Sequence, residues 1–162
     1  MEEFIEIPTI KRNIPKRKRI YGVGINDATY QIRPTIDGKE MMCPFYAVWT
    51  NMLARSYCKQ NQKRHPTYIG CTVSDDWIIF SNFKNWMKTQ DWEGKELDKD
   101  LLVKGNKHYS SSTCVFISKR LNNLLNTQKI QRGSYKLGVS WNKKAKGFEA
   151  QCRNGITKVY LG

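Results

Sequence analysis

The sequence predicts an α+β fold with a helical N-terminal half and a small three-stranded antiparallel sheet at the C-terminus. Three observations predict it. Residues 43–57, CPFYAVWTNMLARSY, set Phe45, Trp49, Met52 and Leu53 at helical spacing behind Pro44, a residue suited to a first turn. Residues 97–126 run through short apolar stretches and a Gly-Asn turn into a leucine-bearing helical segment. Residues 137–162 read as three short strands split by turns at 142–147 and 154–155. A chain of 162 residues can bury a real core as one domain, or as one domain with an appendage.

The elements follow in order. The cluster KRNIPKRKR, residues 11–19, crowds like charge around Pro15 and reads as an extended arm over 1–19. Residues 20–35 read as a strand, an Asn-Asp turn and a second strand. After the helix over 43–57, the polar stretch to Cys71, with Pro66 and Gly70, reads as a loop. Residues 72–80 end in an apolar run, WIIF. Ser81 is a candidate cap for a short helix that turns Phe83 and Met87 or Trp86 inward. Residues 97–103 and 114–117 read as strands. Ser118 caps a helix to 126 with Leu121, Leu124 and Leu125 apolar. A main domain over 20–126, a linker over 127–136 and the terminal sheet over 137–162 complete the expected organisation.

Charge narrows the function. Lys and Arg number 28 against 14 Asp and Glu. Residues 1–60 carry net +4, residues 61–100 net −1 and residues 101–162 net +11, with Glu149 the only acid of that last stretch. A one-sign field destabilises a compact chain, so its presence points to a polyanion such as a phosphate backbone. Aromatic residues make up 12% of the chain, too many for a plain basic tail. No basic amphipathic helix or long apolar run suggests a membrane partner. The acidic start, MEEFIEIPTI, does not read as a secretion signal, so the chain is expected to be cytoplasmic and its five cysteines to be free thiols. Cys43, Cys58, His65 and Cys71 are too loosely spaced to expect zinc.

The candidate chemistry lies in LDKDLLVKGNKHYSSSTCVFISKRLNNL, residues 97–124. Asp98 lies early in the first strand and Asn122 on the helix. A hairpin packed on a helix can bring the two together. One carboxylate and one amide oxygen, with positions left for water and phosphate, make a reasonable Mg²⁺ or Mn²⁺ site that can steady a leaving oxygen.

This run resembles the ββα-metal motif of HNH (His-Me finger) endonucleases, especially phage homing endonucleases. Asp98 falls on the family's metal-binding acid, Gly105 and Asn106 on its loop, and Cys114 to Asn122 on the strand-to-helix run whose last Asn is a metal ligand. Lys99 stands at the general-base His and Thr113 at the Asn that supports it. A Lys of ordinary pKa is protonated and cannot accept water's proton. Three alternatives stay open. Asp100 or His108 acts as base; Lys99 steadies the phosphate beside a metal-bound hydroxide; or catalysis is lost and the fold only binds DNA.

Gly138, Val139, Ser140 and Trp141, then Lys146 to Ala150, then Tyr160 to Gly162, resemble the ethylene-response-factor type of DNA-binding sheet. That resemblance implies a sheet laid in the major groove, with Trp141, Lys143, Lys144, Lys146, Arg153 and Lys158 as candidate contacts. The family's backing helix is missing from the sequence given, so the nuclease-like domain or a second subunit in a homodimer would cover the apolar face. Further candidate phosphate contacts are Lys11, Arg12, Lys16, Arg17, Lys18 and Arg19 in the arm and Lys104, Lys107 and Arg120 around the hairpin. Together the resemblances imply a phage HNH-like endonuclease acting on duplex DNA in an infected bacterial cell. The alternatives are a non-catalytic DNA-binding protein on a degenerate HNH fold, or a basic protein that binds a host nucleic-acid enzyme.

Overall fold

Pro44 lacks the N–H that a first helical turn leaves unpaired, and it opens helix α1 (Pro44–Tyr57). α1 buries Tyr46, Trp49, Met52, Leu53 and Ser56, while Phe45 lies at the edge and packs on Trp92. In this computed structural model residues 4–10, 14–125, 139–153 and 158–160 are described. They form a mixed α+β fold. Before α1 stands a hairpin, β1 (Thr35–Ile36) and β2 (Lys39–Glu40), turned by Asp37 and Gly38 at φ 49° and 75°. After it come α2 (Lys59–Arg64), a 3₁₀ turn Pro66–Tyr68, β3 (Thr72–Val73), α3 (Asp75–Ile78) and α4 (Phe80–Lys88). Then follow β4 (Lys95–Asp98), β5 (His108–Tyr109), β6 (Val115–Ser118) and α5 (Lys119–Leu125).

The core is aromatic. α4 turns Phe80, Phe83 and Met87 onto α1, and Trp77 of α3 accepts the Trp49 indole N–H at its carbonyl, 2.7 Å away. Tyr46–Phe80 and Trp77–Phe83 meet edge to face, with centroids 5.2 and 5.1 Å apart. Each such buried ring contributes on the order of 2 kcal/mol. β4 and β6 pair antiparallel, Asp98 opposite Val115 and Lys95 opposite Ser118. β5 instead pairs in parallel with β3, Thr72 opposite His108, and so ties the segment between β4 and β6 to the helical half.

The compact units are Met1–Asn122 and Asn123–Gly162, a division that falls within α5. In the second unit β7 (Val139–Asn142), β8 (Gly147–Arg153) and β9 (Lys158–Tyr160) form the expected three-stranded antiparallel sheet, in the order β7-β8-β9. The expected linker over 127–136 and the Asn-Gly turn at 154–155 lie outside the described residues. Among the described residues no helix is long and apolar enough to cross a membrane.

Several local expectations are corrected. Residues 20–35 do not form two strands. Asn26 accepts the Ala28 N–H at 3.2 Å and one Arg17 hydrogen bond, so side-chain bonds replace a ladder there, and only single bridges such as Ile20–Gly24 remain. The expected loop after α1 holds α2, because KQNQKR is rich in helix formers and Gln62 donates to the Ser56 carbonyl at 2.7 Å. Ser81 is not a cap: α4 starts at Phe80, and Asp27, far away in sequence, accepts the Ser81 N–H at 2.9 Å. The strand expected over 97–103 ends at Asp98. The N-terminal segment is not wholly an arm. Thr9 donates to the Thr29 carbonyl, Phe4 packs near Tyr30, and buried Lys84 meets Glu6 at 2.6 Å while lying 4.2 Å over the Tyr30 ring.

Gly24 runs tight against α1: a Cβ there would lie 2.4 Å from Leu53 Cδ1 and 2.9 Å from Trp49 Cη2. Gly24→Ala is therefore expected to cost about 2 kcal/mol of stability through overpacking, read as a lower urea midpoint. An unchanged midpoint would mean that residue 24 is not held against the helix.

Candidate functional site

Alternation along β4 decides which side chains share a face. Leu97 is buried, and Glu96 and Asp98, two apart, lie half-buried on the opposite side. α5 starts where β6 ends, with the Ser118 hydroxyl accepting the Leu121 N–H at 3.2 Å, the cap expected from sequence. One turn on, the Asn122 side chain donates a hydrogen bond to the Glu96 carboxylate. The acid that touches Asn122 is thus Glu96, which the sequence reading missed. The signal was present in the period-2 spacing of residues 96 and 98.

Asp98 does a different job. Its Oδ1 accepts the N–H of Asp100 at 2.9 Å and of Leu101 at 2.7 Å, which ends the strand and turns the chain. Lys99 points the other way and is buried. Its ammonium donates to both Asp100 carboxylate oxygens at 2.9 and 2.8 Å and to the Asn106 carbonyl at 2.6 Å, 6.0 Å from the Tyr109 ring centre. Lys99 and Asp100 are therefore each other's partners. The Asn106 amide donates to the carbonyls of Lys99 and His108, at 3.0 and 2.6 Å, and closes the loop at its base. His108 is exposed, with Nδ1 2.9 Å from the Thr72 hydroxyl. Thr113 donates to the His108 carbonyl at 2.8 Å, so it supports the turn before β6 rather than the side chain at 99.

Arg55 is a second missed residue. From α1 its guanidinium reaches the Leu97 carbonyl at 3.5 Å and lies 5.4 Å from the Tyr68 ring centre, so it fastens β4 to the helical half. Its charge is reinforced by Tyr68, Tyr109 and Glu96 against the opposing effect of burial.

The basic candidates separate into exposed and occupied. Lys16, Lys18, Arg19, Lys104 and Arg120 are exposed. Arg17 is occupied: its Nη1 donates to Asn26 twice and to the Ala28 carbonyl at 2.7 Å. Lys107 is exposed along its stem and donates to the Thr67 carbonyl. Lys11 and Arg12 lie outside the described residues. In the C-terminal sheet Trp141 pairs with Phe148, edge to face at 5.0 Å, and both are exposed. Lys143, Lys144 and Lys146 stand exposed in the turn between β7 and β8. That turn is held by Asn142 Oδ1, which accepts from Lys144 and Ala145 at 2.9 and 3.1 Å. Arg153 and Lys158 are register partners on β8 and β9.

The donors on the β4 face are hard oxygens, which fit Mg²⁺ or Mn²⁺ in kind. Among the described residues no group of three or more His, Cys, Asp and Glu gathers as metal ligands; Glu96 and Asp98 share one face of β4, and the Asn122 amide reaches Glu96. Comparison of the chain with family models, with curated proteins and with solved structures returns no match.

Cys114, buried just before β6, has its thiol pushed up to about 11 by burial, against the partial help of hydrogen bonds from Ser110 and Thr113. The folded chain then holds this proton after the unfolded chain has released it. Stability is expected to fall as pH rises from about 9 to about 11, and Cys114→Ala is expected to flatten that decline. Thermal midpoints across this range check it; equal slopes in both proteins would count against a buried, neutral thiol.

Proposed function

We propose that this chain cleaves or nicks duplex DNA with the help of a divalent metal, as an HNH-like ββα endonuclease. The hydrogen bond from Asn122 to Glu96 carries the reading, because it sets the helix after β6 against the face of β4 that also bears Asp98. Asp98 and Asn122 would hold the ion, with Glu96 as a third oxygen donor. When bound, the metal supplies charge to steady the phosphate and the departing oxygen. His108, steadied through Nδ1 by Thr72, is the imidazole that takes up a proton from water. Lys99 lends its charge to the loop, through Asp100 and the Asn106 carbonyl. The exposed Lys104 and Arg120 near the hairpin meet phosphates, and the Lys143–Lys144–Lys146 turn adds phosphate contacts from the terminal sheet.

One observation favours a second reading, a duplex-DNA-binding protein without catalysis. The residue at the usual base position, Lys99, is buried and bound by three oxygens.

Supercoiled plasmid with Mg²⁺ or Mn²⁺ separates the two. Nicking is expected, with Asp98→Asn and Asn122→Ala each lowering the rate at least about 100-fold and His108→Ala at least about tenfold. Asn is chosen at 98 because it keeps the oxygen that accepts the two loop N–H groups. Salt-dependent duplex binding without nicking would select the second reading; absence of duplex binding would remove both.

A further inference from the structure

The loop that leaves Asp98 carries three consecutive large apolar residues into solvent. Leu101, Leu102 and Val103 are 42%, 55% and 51% exposed. Consecutive exposed aliphatic residues serve no folding purpose and usually mark a contact. This tip is also held in shape. Asp98 accepts the N–H of Leu101, the Asn106 N–H donates to the Val103 carbonyl at 3.1 Å, and Gly105 takes φ 74° to close the turn. The Lys99 ammonium on the Asn106 carbonyl and the Asn106 amide on the Lys99 carbonyl lock the base of the loop. A tip already ordered loses little entropy on binding. Exposed Lys104 and Lys107 follow it directly.

We infer that Leu101, Leu102 and Val103 form a wedge that enters between base pairs of duplex DNA from the minor groove, beside the strand addressed by Asp98. The inference rests on the DNA reading above. Aliphatic side chains offer no hydrogen bonds to base edges but replace stacking when a step opens, and they kink the duplex. Lys104 then meets a phosphate that flanks the opened step, and Lys107 exchanges its bond to the Thr67 carbonyl for the next phosphate. Such a wedge favours easily unstacked pyrimidine–purine steps and is otherwise indifferent to sequence. A second copy of the chain suits the tip less well. A symmetric contact would bring the lysines that follow the tip in the two copies toward one another.

The test uses the full chain, without divalent metal, on a duplex carrying 2-aminopurine at a central TA step and a dye at each end. Wild type is expected to raise the 2-aminopurine emission several-fold and to shorten the end-to-end distance. The triple variant Leu101→Ser, Leu102→Ser, Val103→Thr changes exposed side chains only. It is expected to keep its thermal midpoint, bind at least tenfold more weakly and leave emission at the free-duplex level even at saturation. Lys104→Ala with Lys107→Ala is expected to weaken binding yet keep the emission rise in the saturated complex. Duplex binding by wild type with no change in emission or distance overturns the wedge and leaves the DNA reading standing. No duplex binding overturns both. Equal emission from wild type and the triple variant, with a dimer lost only in the variant, assigns the tip to self-association and overturns the wedge.

Discussion

The candidate site depends on one carboxylate oxygen. Oδ1 of Asp98 takes the N–H groups of Asp100 and Leu101, and a strand that would otherwise run on through apolar residues stops there. Hydrogen bonds to a charged acceptor are worth roughly 1.5–3 kcal/mol each, enough to prevail over the strand preference of two leucines and a valine. Everything downstream follows from that stop. Lys99 falls inward, Asp100 turns back to meet it, and the apolar triplet is carried outward. The chain returns through Asn106 to β5, whose pairing with β3 fixes the loop to the helical half.

Much of this was legible in the residues, and the exceptions have physical causes. α1 and α5 were readable because a proline, a serine cap and helical spacing all agree locally. The terminal sheet was readable from its turns. What escaped depends on distant partners. Nothing near Ser81 announces that Asp27 caps α4, and nothing near Arg17 announces that its guanidinium is spent on Asn26 and Ala28. Within the site β4, the turn after it, β6 and α5 follow the expected order, but β5, which pairs with β3, was not expected, and neither was the hydrogen bond from Asn122 to Glu96. The strand was read by its motif, and its alternation went unused.

Charge also divides in a way that composition hides. The net of +14 suggests a uniformly basic surface. Arg17 and Lys84 are instead internal fasteners, one holding the 14–28 segment and the other strapping Glu6 and Tyr30, and Lys99 closes the loop. Exposed cations of the first unit include Lys16, Lys18 and Arg19, then Lys59, Lys63 and Arg64 around α2, and Lys104, Lys119 and Arg120 around the loop and α5; the second unit presents its own in the β7–β8 turn. Exposed cations of this kind set the salt dependence of binding to a polyanion, whereas the buried ones do not enter it.

On the metal-site reading proposed above, Asp98 serves two demands that pull in different directions. As a turn-former it gives an oxygen to backbone donors, which draw negative charge away from a metal. As a ligand it must keep that charge available. The two are compatible because a carboxylate has two oxygens and about four lone-pair sites, and the donors engage one oxygen only. Glu96 eases the conflict further: it adds charge to the same face and is itself oriented by Asn122. A fold that needs this carboxylate to shape the loop cannot lose it without disturbing the loop. In the proposed site Asp98 is thus tied to the shape of the loop, and Lys99, held by Asp100 and the Asn106 carbonyl, is tied to it from the other side.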